Sequence, residues 1–489
     1  MQPIDFSKIL HELTYQPESP IIFSSGLFLY MFVAFLAVYS LIYKNERLRI
    51  YFLIAFSIFF YYKSSGLYFL LLIGLALVDY TLARIMGNTE NKKTRKFLLI
   101  TSLSVNLGML GYFKYTNFLF SSFYELINKP FDPFNIFLPV GISFFTFQSL
   151  SYTFDVYRGN IKPLKSLSEF AFFVTFFPQM VAGPIVRAVD FIPQIKGTPH
   201  VSKEDFGRAI FLICSGLFKK AVISDYISLN FVDRIFDNPT LYTGFENLMG
   251  VYGYALQIYC DFSGYSDMAI GIALLLGYKL ALNFNSPYQS GSITEFWRRW
   301  HISLSSWLRD YLYISLGGNR KGKIRTYFNL MITMLLGGLW HGAALRFVIW
   351  GALHGAMLAI EKFFKSVVTV PQNKLTKFVG VVLTFHFVCF CWIFFRADNM
   401  EVVASVLSQI VTAFHPEIIG EFINGYTMVF GLMILGFILH FMPVKIEKIT
   451  ENAVVSSPFP LKVLYLSLII FLVIQIKSSE IQPFIYFQF

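Results

Sequence analysis

The chain has 489 residues, of which 40 are Lys or Arg and 29 are Asp or Glu, so its formal net charge is +11. Only 14% of the residues are charged, against about 25% in an average soluble protein, while 55% are hydrophobic and 19% aromatic. The mean hydropathy is +0.58. This composition excludes a disordered chain and a soluble globular protein. It also assigns the basic excess to cytoplasmic loops of a membrane protein rather than to nucleic-acid binding.

Apolar runs follow one another along the whole chain. A helix needs about 20 apolar residues to cross a bilayer, so these runs predict an all-α polytopic membrane protein with about 10–13 transmembrane helices. Runs too short to span predict re-entrant or interfacial helices. We expect one membrane-embedded domain over residues 1–489. The apolar runs lie at 21–43, 50–62, 66–86, 97–120, 136–157, 169–184, 206–232, 245–280, 326–345, 346–365, 376–395, 424–443 and 459–477.

Two acids interrupt the apolar run at 245–280. Asp261 and Asp267 lie in a polar island at 259–267, together with Tyr265. Ionisable groups at membrane depth usually pair with each other or face a cavity. Two interpretations follow: the acids form structural ion pairs with the region of Arg298 and Arg299, or all three side chains support a catalytic site.

Residues 282–326 do not resemble a membrane span. Ser292 and Glu295 have the spacing of a capping box, which begins a helix. From there, apolar and aromatic residues recur at helical spacing and predict one amphipathic helix that ends near Gly317. The residues of its apolar face are Trp297, Trp300, His301, Leu304, Trp307, Leu308, Tyr311 and Leu312.

The polar side of this segment is strongly basic. Residues 298–325 contain seven Lys or Arg residues and one acid, so their net charge is +6. One interpretation is an interfacial helix whose arginines contact anionic lipid headgroups. The other is a cytoplasmic site for an anionic ligand, since clustered Arg and Lys bind phosphates. Arg298, Arg299, Trp300 and Arg309 are the candidate ligand-binding residues.

A histidine lies within the next apolar run. His341 has no charged neighbour before Arg346, and a buried neutral imidazole can act as a general base. The alternative is a neutral histidine that forms a hydrogen bond between helices. His354 lies in a similar context 13 residues later, and for this residue we expect the structural role. Zinc-ligand spacings, P-loops and nucleophilic triads are absent from the sequence, so we expect no metal site.

Five long strings of the sequence resemble the membrane-bound O-acyltransferase family, within the branch that acetylates bacterial polysaccharides such as alginate. They lie in a core at about 137–365. The strings are FQSLSYTFDVYRG (147–159), FFPQMVAGPIVR (176–187), YCDFSGYSDMAIG (259–271), NFNSPYQSGSITEFWRRWHISLSSWLRDYLYISLGG (283–318) and GGLWHGAALRFVIWGALHG (337–355). Leu345 and Arg346 depart from the aromatic-rich continuation that is usual after WHGAA.

The resemblance implies a helical funnel around a central tunnel. It assigns the essential acyl-transfer role to His341 and an assisting role at the cytoplasmic entrance to His301. It implies acetyl-CoA as a donor substrate, with no permanently bound cofactor. It further implies a bacterial inner membrane, a periplasmic acetyltransferase partner and a polysaccharide acceptor.

Two alternatives to acetyl transfer stay open at this point. Within the family, the chain could transfer acyl or D-alanyl groups from a carrier protein to a cell-wall polymer. In a different class, it could transport an anionic glycan along a path lined by Asp261, Asp267 and His341.

Overall fold

The computed structural model describes residues 11–17, 20–369, 371, 373–476 and 484–485, and these residues form helices and loops without a β-strand. The predicted all-α class is therefore confirmed. The helices are α1 Gly26–Ile42, α2 Glu46–Ser65, α3 Phe69–Gly87, α4 Lys92–Leu110, α5 Thr116–Leu126, α6 Ile142–Arg158, α7 Leu167–Thr175, α8 Phe177–Met180, α9 Ala188–Ile195, α10 Lys203–Leu217, α11 Asp225–Ile227, α12 Asp233–Asp237, α13 Gly244–Leu275, α14 Ile293–Arg299, α15 Ile302–Trp307, α16 Lys323–His341, α17 Leu345–Val367, α18 Lys374–Arg396, α19 Met400–Thr412, α20 Ile419–Gly425, α21 Thr427–Phe441, α22 Val444–Ser456 and α23 Phe459–Ile476.

Five helical stretches of the described chain are long and apolar enough to cross a membrane. They are Glu46–Gly87, Lys92–Leu126, Leu345–Val367, Lys374–Arg396 and Phe459–Ile476. Two further pairs, α19 with residues 416–425 and α21 with α22, reach that length together but bend by 92° and 95°. The count is lower than the number of apolar runs for a physical reason. Several runs fold as short helices or contain buried polar residues, and the first stretch joins α2 and α3 through a 3₁₀ turn at Gly66–Tyr68.

The chain divides into two compact units. The first contains the described residues up to Ser202 together with Ile272–Ala281, and the second contains Lys203–Gly271 and the described residues from Leu282 to Ile485. Our expectations of one domain over 1–489 and of a central tunnel stay predictions.

Aromatic rings fill the core of the first unit. Phe177 is fully buried, and its ring lies 5.0 Å from the ring of Phe56 and 5.8 Å from that of Phe35. Such edge-to-face pairs add to the stabilisation that burial of their area provides. The high phenylalanine content of the sequence thus forms a continuous aromatic core here. The other rings around Phe177 are those of Phe23, Phe28, Phe32 and Phe60.

In the second unit, glycines bring α16 and α17 into backbone contact. A Cβ atom on Gly338 would lie 2.2 Å from the carbonyl oxygen of Phe347, and one on Gly351 would lie 2.4 Å from that of Met334. Helices in membranes commonly associate through such small residues. The close approach fixes the end of α16, where His341 is the last residue.

Candidate active site

The predicted amphipathic helix is interrupted at a histidine. It begins as expected, because the Ser292 side chain accepts a hydrogen bond of 3.2 Å from the backbone N–H of Glu295. The helix α14 ends at Arg299, however, and Trp300 is extended. His301 has a left-handed backbone conformation, with φ 42° and ψ 55°, before α15 begins. The expectation of one continuous helix is therefore wrong.

Hydrogen bonds to residues 283–285 replace the helical bonds that are lost at this interruption. The backbone N–H of Ile302 donates to the carbonyl oxygen of Asn283 (2.9 Å), and that of Asn285 donates to the carbonyl oxygen of Arg299 (2.9 Å). Buried backbone groups need such partners. Residues 283–285 therefore stabilise the interruption between α14 and α15. The helical periodicity of 292–312 contains no information about these hydrogen bonds.

Asn283 also positions the imidazole of His301. Its side-chain oxygen accepts from the backbone N–H (3.2 Å) and the hydroxyl (2.9 Å) of Ser303, and it lies 3.2 Å from Nδ1 of His301. An oxygen acceptor at Nδ1 favours the tautomer with the hydrogen on Nδ1 and leaves Nε2 as the basic nitrogen. The sequence analysis did not select Asn283. Its only signal was a polar side chain at the end of an apolar run.

The His301 imidazole is neutral in the folded protein. The side chain is fully buried, and its ring lies 4.6 Å from the ring of Phe262. This burial lowers the pKa of His301 from 6.5 to about 3. A neutral imidazole can accept a proton, as general-base chemistry requires.

The structure brings His341 and His301 together although 40 residues separate them in the sequence. Their ring centroids are 6.5 Å apart. His341 is 2% exposed, and its ring also lies 5.0 Å from that of Trp350 and 5.3 Å from that of Phe395. Two buried imidazoles in an aromatic surrounding thus form the centre of the candidate site.

The predicted ligand-binding residues occupy different environments. Arg299 binds Glu295 (2.8 Å) and the carbonyl oxygen of Asn285 (3.2 Å). Arg309 binds Asp310 (2.6 Å). These two guanidinium groups therefore already have structural partners. The exposed cations of the stretch 298–325 are Arg298, Arg309, Arg320, Lys321, Lys323 and Arg325, of which Arg309 is paired with Asp310.

Trp300 lies inside the protein. It is 1% exposed and packs at 5.0 Å from the rings of both Phe284 and Trp392. Its location supports the packing of α14, and its assignment to donor binding stays a prediction.

The acids of α13 pair with lysines. Asp261 binds Lys220 (2.6 Å), and Asp267 binds Lys219 (2.6 Å). The carboxylate of Asp261 also accepts the backbone N–H of Ile485 (2.8 Å). The expected pairing with the region of Arg298 and Arg299 is therefore wrong.

Lys219 and Lys220 lie where the helix type changes locally. They lie in a π-helical segment, Phe218–Ser224, which continues α10. A Cβ atom on Gly216 of α10 would lie only 2.5 Å from the carbonyl oxygen of Gly264 on α13. This close approach places both ammonium groups beside the acids. Tyr265, the third residue of the predicted polar set, is 3% exposed and packs 4.8 Å from the ring of Phe484.

Comparison with known sequences identifies the family. The profile of MBOAT, the membrane-bound O-acyltransferase family, matches residues 142–403, which is more than half of the chain and includes both histidines. The chain belongs to the membrane-bound O-acyltransferase family. It is therefore a multi-pass membrane protein and an O-acyltransferase, as its apolar helices and the resemblance of its motifs predicted.

The chain is also similar in sequence to individual bacterial enzymes. The chain is 44% identical over 389 residues to a probable alginate O-acetylase of Pseudomonas aeruginosa, covering 78% of this chain and 73% of the relative. It is 37% identical over 421 residues to a peptidoglycan O-acetyltransferase of Helicobacter pylori, covering 80% of each. It is 32% identical over 279 residues to a teichoic acid D-alanyltransferase of Bacillus subtilis, covering 53% of this chain and 68% of the relative.

Proposed function

We propose that this O-acyltransferase takes an acetyl group from acetyl-CoA and delivers it for O-acetylation of an exported or cell-envelope polysaccharide. The observation that carries the proposal is the meeting of two buried imidazoles, His301 and His341, at 6.5 Å. The names of the relatives at 44% and 37% identity support the acetyl group and the polysaccharide acceptor.

His341 acts as the general base in this proposal. Its imidazole removes the proton from an acceptor hydroxyl, whose oxygen attacks the carbonyl carbon of the acetyl thioester. The carbon–sulfur bond breaks as the new carbon–oxygen bond is completed. The sulfur then leaves as a thiolate and receives the proton from the imidazolium. His301, held through Asn283, supports this exchange from the neighbouring position.

The donor approaches from the cytoplasmic side in this proposal. Its phosphates contact Arg298 and the exposed basic run from Arg320 to Arg325, since clustered cations bind phosphate oxygens. The enzyme lies in a bacterial inner membrane. The acceptor is either the polysaccharide itself or a periplasmic partner acetyltransferase that passes the group on.

Labelled acetyl-CoA tests the proposal in membranes that contain the full chain. Wild type should transfer label to the polysaccharide fraction or to a partner, and His341→Ala should lower the rate by at least about 100-fold, as loss of a general base does. His386→Ala is the matched control, because His386 is an exposed histidine bonded to Tyr252 (3.0 Å). Wild type that transfers no acetyl group would contradict the donor assignment. Unchanged transfer by His341→Ala would contradict the assigned base.

One relative favours a second candidate. The name of the teichoic acid D-alanyltransferase at 32% identity supports a D-alanyl group as the group that is transferred. In this second candidate, a carrier protein delivers the D-alanyl group. Supplying wild-type membranes with a D-alanine-charged carrier in place of acetyl-CoA separates the two donors, because only the correct one should label the acceptor. The transporter alternative has less support, because Asp261 and Asp267 are bound to lysines.

A further inference from the structure

A third histidine lies beside the candidate site without an evident structural purpose. His354 is in the interior of α17 and is fully buried. Neither of its ring nitrogens has a hydrogen-bond partner among the residues that the structure describes. Aromatic rings surround it at centroid distances of 4.7 to 6.1 Å. These rings belong to Phe296, Trp297, Trp350 and Phe387.

Two tryptophans in contact with His354 also have a ring nitrogen without a hydrogen-bond partner among the described residues. The indole N–H groups of Trp297 and Trp350 are buried and also have no hydrogen-bond partner within the described residues. The rings of Trp297 and Trp350 are 5.7 Å apart, and they lie 5.2 Å and 4.7 Å from that of His354. The three side chains, named here the Trp–His cluster, thus place three polar rings against each other.

Packing alone does not account for the Trp–His cluster. A buried donor without a partner costs more free energy than an ordinary hydrogen bond returns. Edge-on contacts with neighbouring rings offset only part of that cost, because N–H contacts to aromatic faces are weak. Phenylalanine would fill similar volumes without the cost. A function for the nitrogen atoms explains their presence better.

The chemistry of the Trp–His cluster selects the class of ligand. An indole nitrogen only donates hydrogen bonds, and a neutral imidazole adds one further donor. The matching ligand groups are oxygen acceptors such as carbonyls. The cluster joins the candidate site, since the Trp350 ring is 5.0 Å from that of His341. At the other end of the cluster, Trp297 is partly exposed.

We infer that Trp297, Trp350 and His354 bind the carbonyl oxygens of the acyl donor, namely the thioester carbonyl and the adjoining amides. The inference rests on the proposed function and names the part of the site that holds the donor. Trp350 contacts both His341 and His354, so a donor carbonyl bound there lies next to the proposed base. This binding requires the rings to turn so that their N–H groups face the donor.

Binding of labelled acetyl-CoA to the full chain in lipid nanodiscs tests the inference without an acceptor. The variants Trp297→Phe, Trp350→Phe and His354→Phe keep an aromatic ring and remove the polar nitrogen. Each should raise the Kd about threefold to tenfold, which corresponds to one lost hydrogen bond. His354→Phe should melt at the same temperature as wild type or higher, because it removes unpaired polar atoms from the interior.

Trp392→Phe is the matched control. Trp392 is as fully buried as Trp350, but its indole N–H donates to the hydroxyl of Tyr288 (3.1 Å). This variant should lower the melting temperature and leave the Kd unchanged. The inference is overturned if folded variants of all three cluster residues bind acetyl-CoA like wild type, or if His354→Phe only destabilises the protein. Wild type that binds no acetyl-CoA would instead overturn the proposed donor itself.

Discussion

Each of the two units contains a buried polar cluster among apolar helices, and the two clusters differ in how their polar atoms are paired. In the first unit, the Asp79 carboxylate accepts hydrogen bonds from Ser102 (2.6 Å), Asn106 (2.8 and 3.0 Å) and Ser149. In the second unit, the nitrogens of Trp297, Trp350 and His354 have no such partners among the described residues.

This difference distinguishes a polar cluster that stabilises the fold from one that we assign to substrate binding. The carboxylate of Asp79 accepts hydrogen bonds from α4 and α6. These bonds hold the helices together, because helices within a bilayer have no hydrophobic driving force for association. The Trp–His cluster lacks comparable partners among the described residues and lies next to His341, and in our inference the acyl donor supplies them. Buried polarity in this membrane protein is therefore informative only after its partners have been identified.

Removal of the Asp79 carboxylate should cause the largest loss of stability. Asp79→Ala leaves the hydroxyls of Ser102 and Ser149 and the amide of Asn106 without their acceptor, at a cost of about 3 kcal/mol in the free energy of unfolding. Denaturation of the purified protein in detergent measures this loss. Asp132→Ala, at an exposed loop position, is the control. Equal stability of the two variants would contradict the claim that the Asp79 cluster stabilises the fold.

Asn283 stabilises the local fold and also orients His301, so its removal should affect stability and activity together. Asn283→Ala deprives Ser303 and His301 of a shared acceptor. We expect a loss of about 1–2 kcal/mol in unfolding free energy and a fall in acetyl transfer of about tenfold, because the His301 ring loses its orientation. The rate is measured per folded molecule. A loss of stability at an unchanged rate would show that Asn283 serves the fold alone.

Acid should destabilise the protein in part through His301. Its pKa is lowered by burial from 6.5 to about 3, so between these values the unfolded chain binds a proton that the folded chain does not. This contribution to stability is present above pH 6.5 and is lost as the pH falls towards 3. Unfolding of wild type and His301→Gln at several pH values measures it. The variant should show a smaller loss in this range, and parallel curves would contradict the assignment.

Local features were predictable from the sequence, whereas the site geometry was not. The composition identified a polytopic α-helical membrane protein, and the spacing of Ser292 and Glu295 identified a helix start that the structure confirms. A cap depends on residues within one turn. The interruption at His301 depends on hydrogen bonds to Asn283, and periodicity carries no information about a partner 18 residues away.

The partners of the buried acids were likewise not predictable from the sequence. The basic stretch near Arg298 was the evident partner for Asp261 and Asp267 in the sequence, yet the lysines of a π-helical segment bind them. A π-helical segment shifts the register of the side chains, which helical periodicity at 3.6 residues per turn does not anticipate. The roles of His341 and His301 came from the resemblance to the family. For His354, the apolar neighbours predicted a structural role, and only the positions of its nitrogens suggest another.

The contact between α16 and α17 limits how this enzyme can work. Gly338 and Gly351 each leave no room for even a methyl group against the opposing backbone, so the two helices cannot slide past each other without a collision. His341 at the end of α16 and His354 on α17 therefore keep a constant position relative to each other. We expect donor and acceptor to approach this rigid pair of helices from opposite faces of the membrane. Any movement during turnover would then have to carry the two helices together as one body.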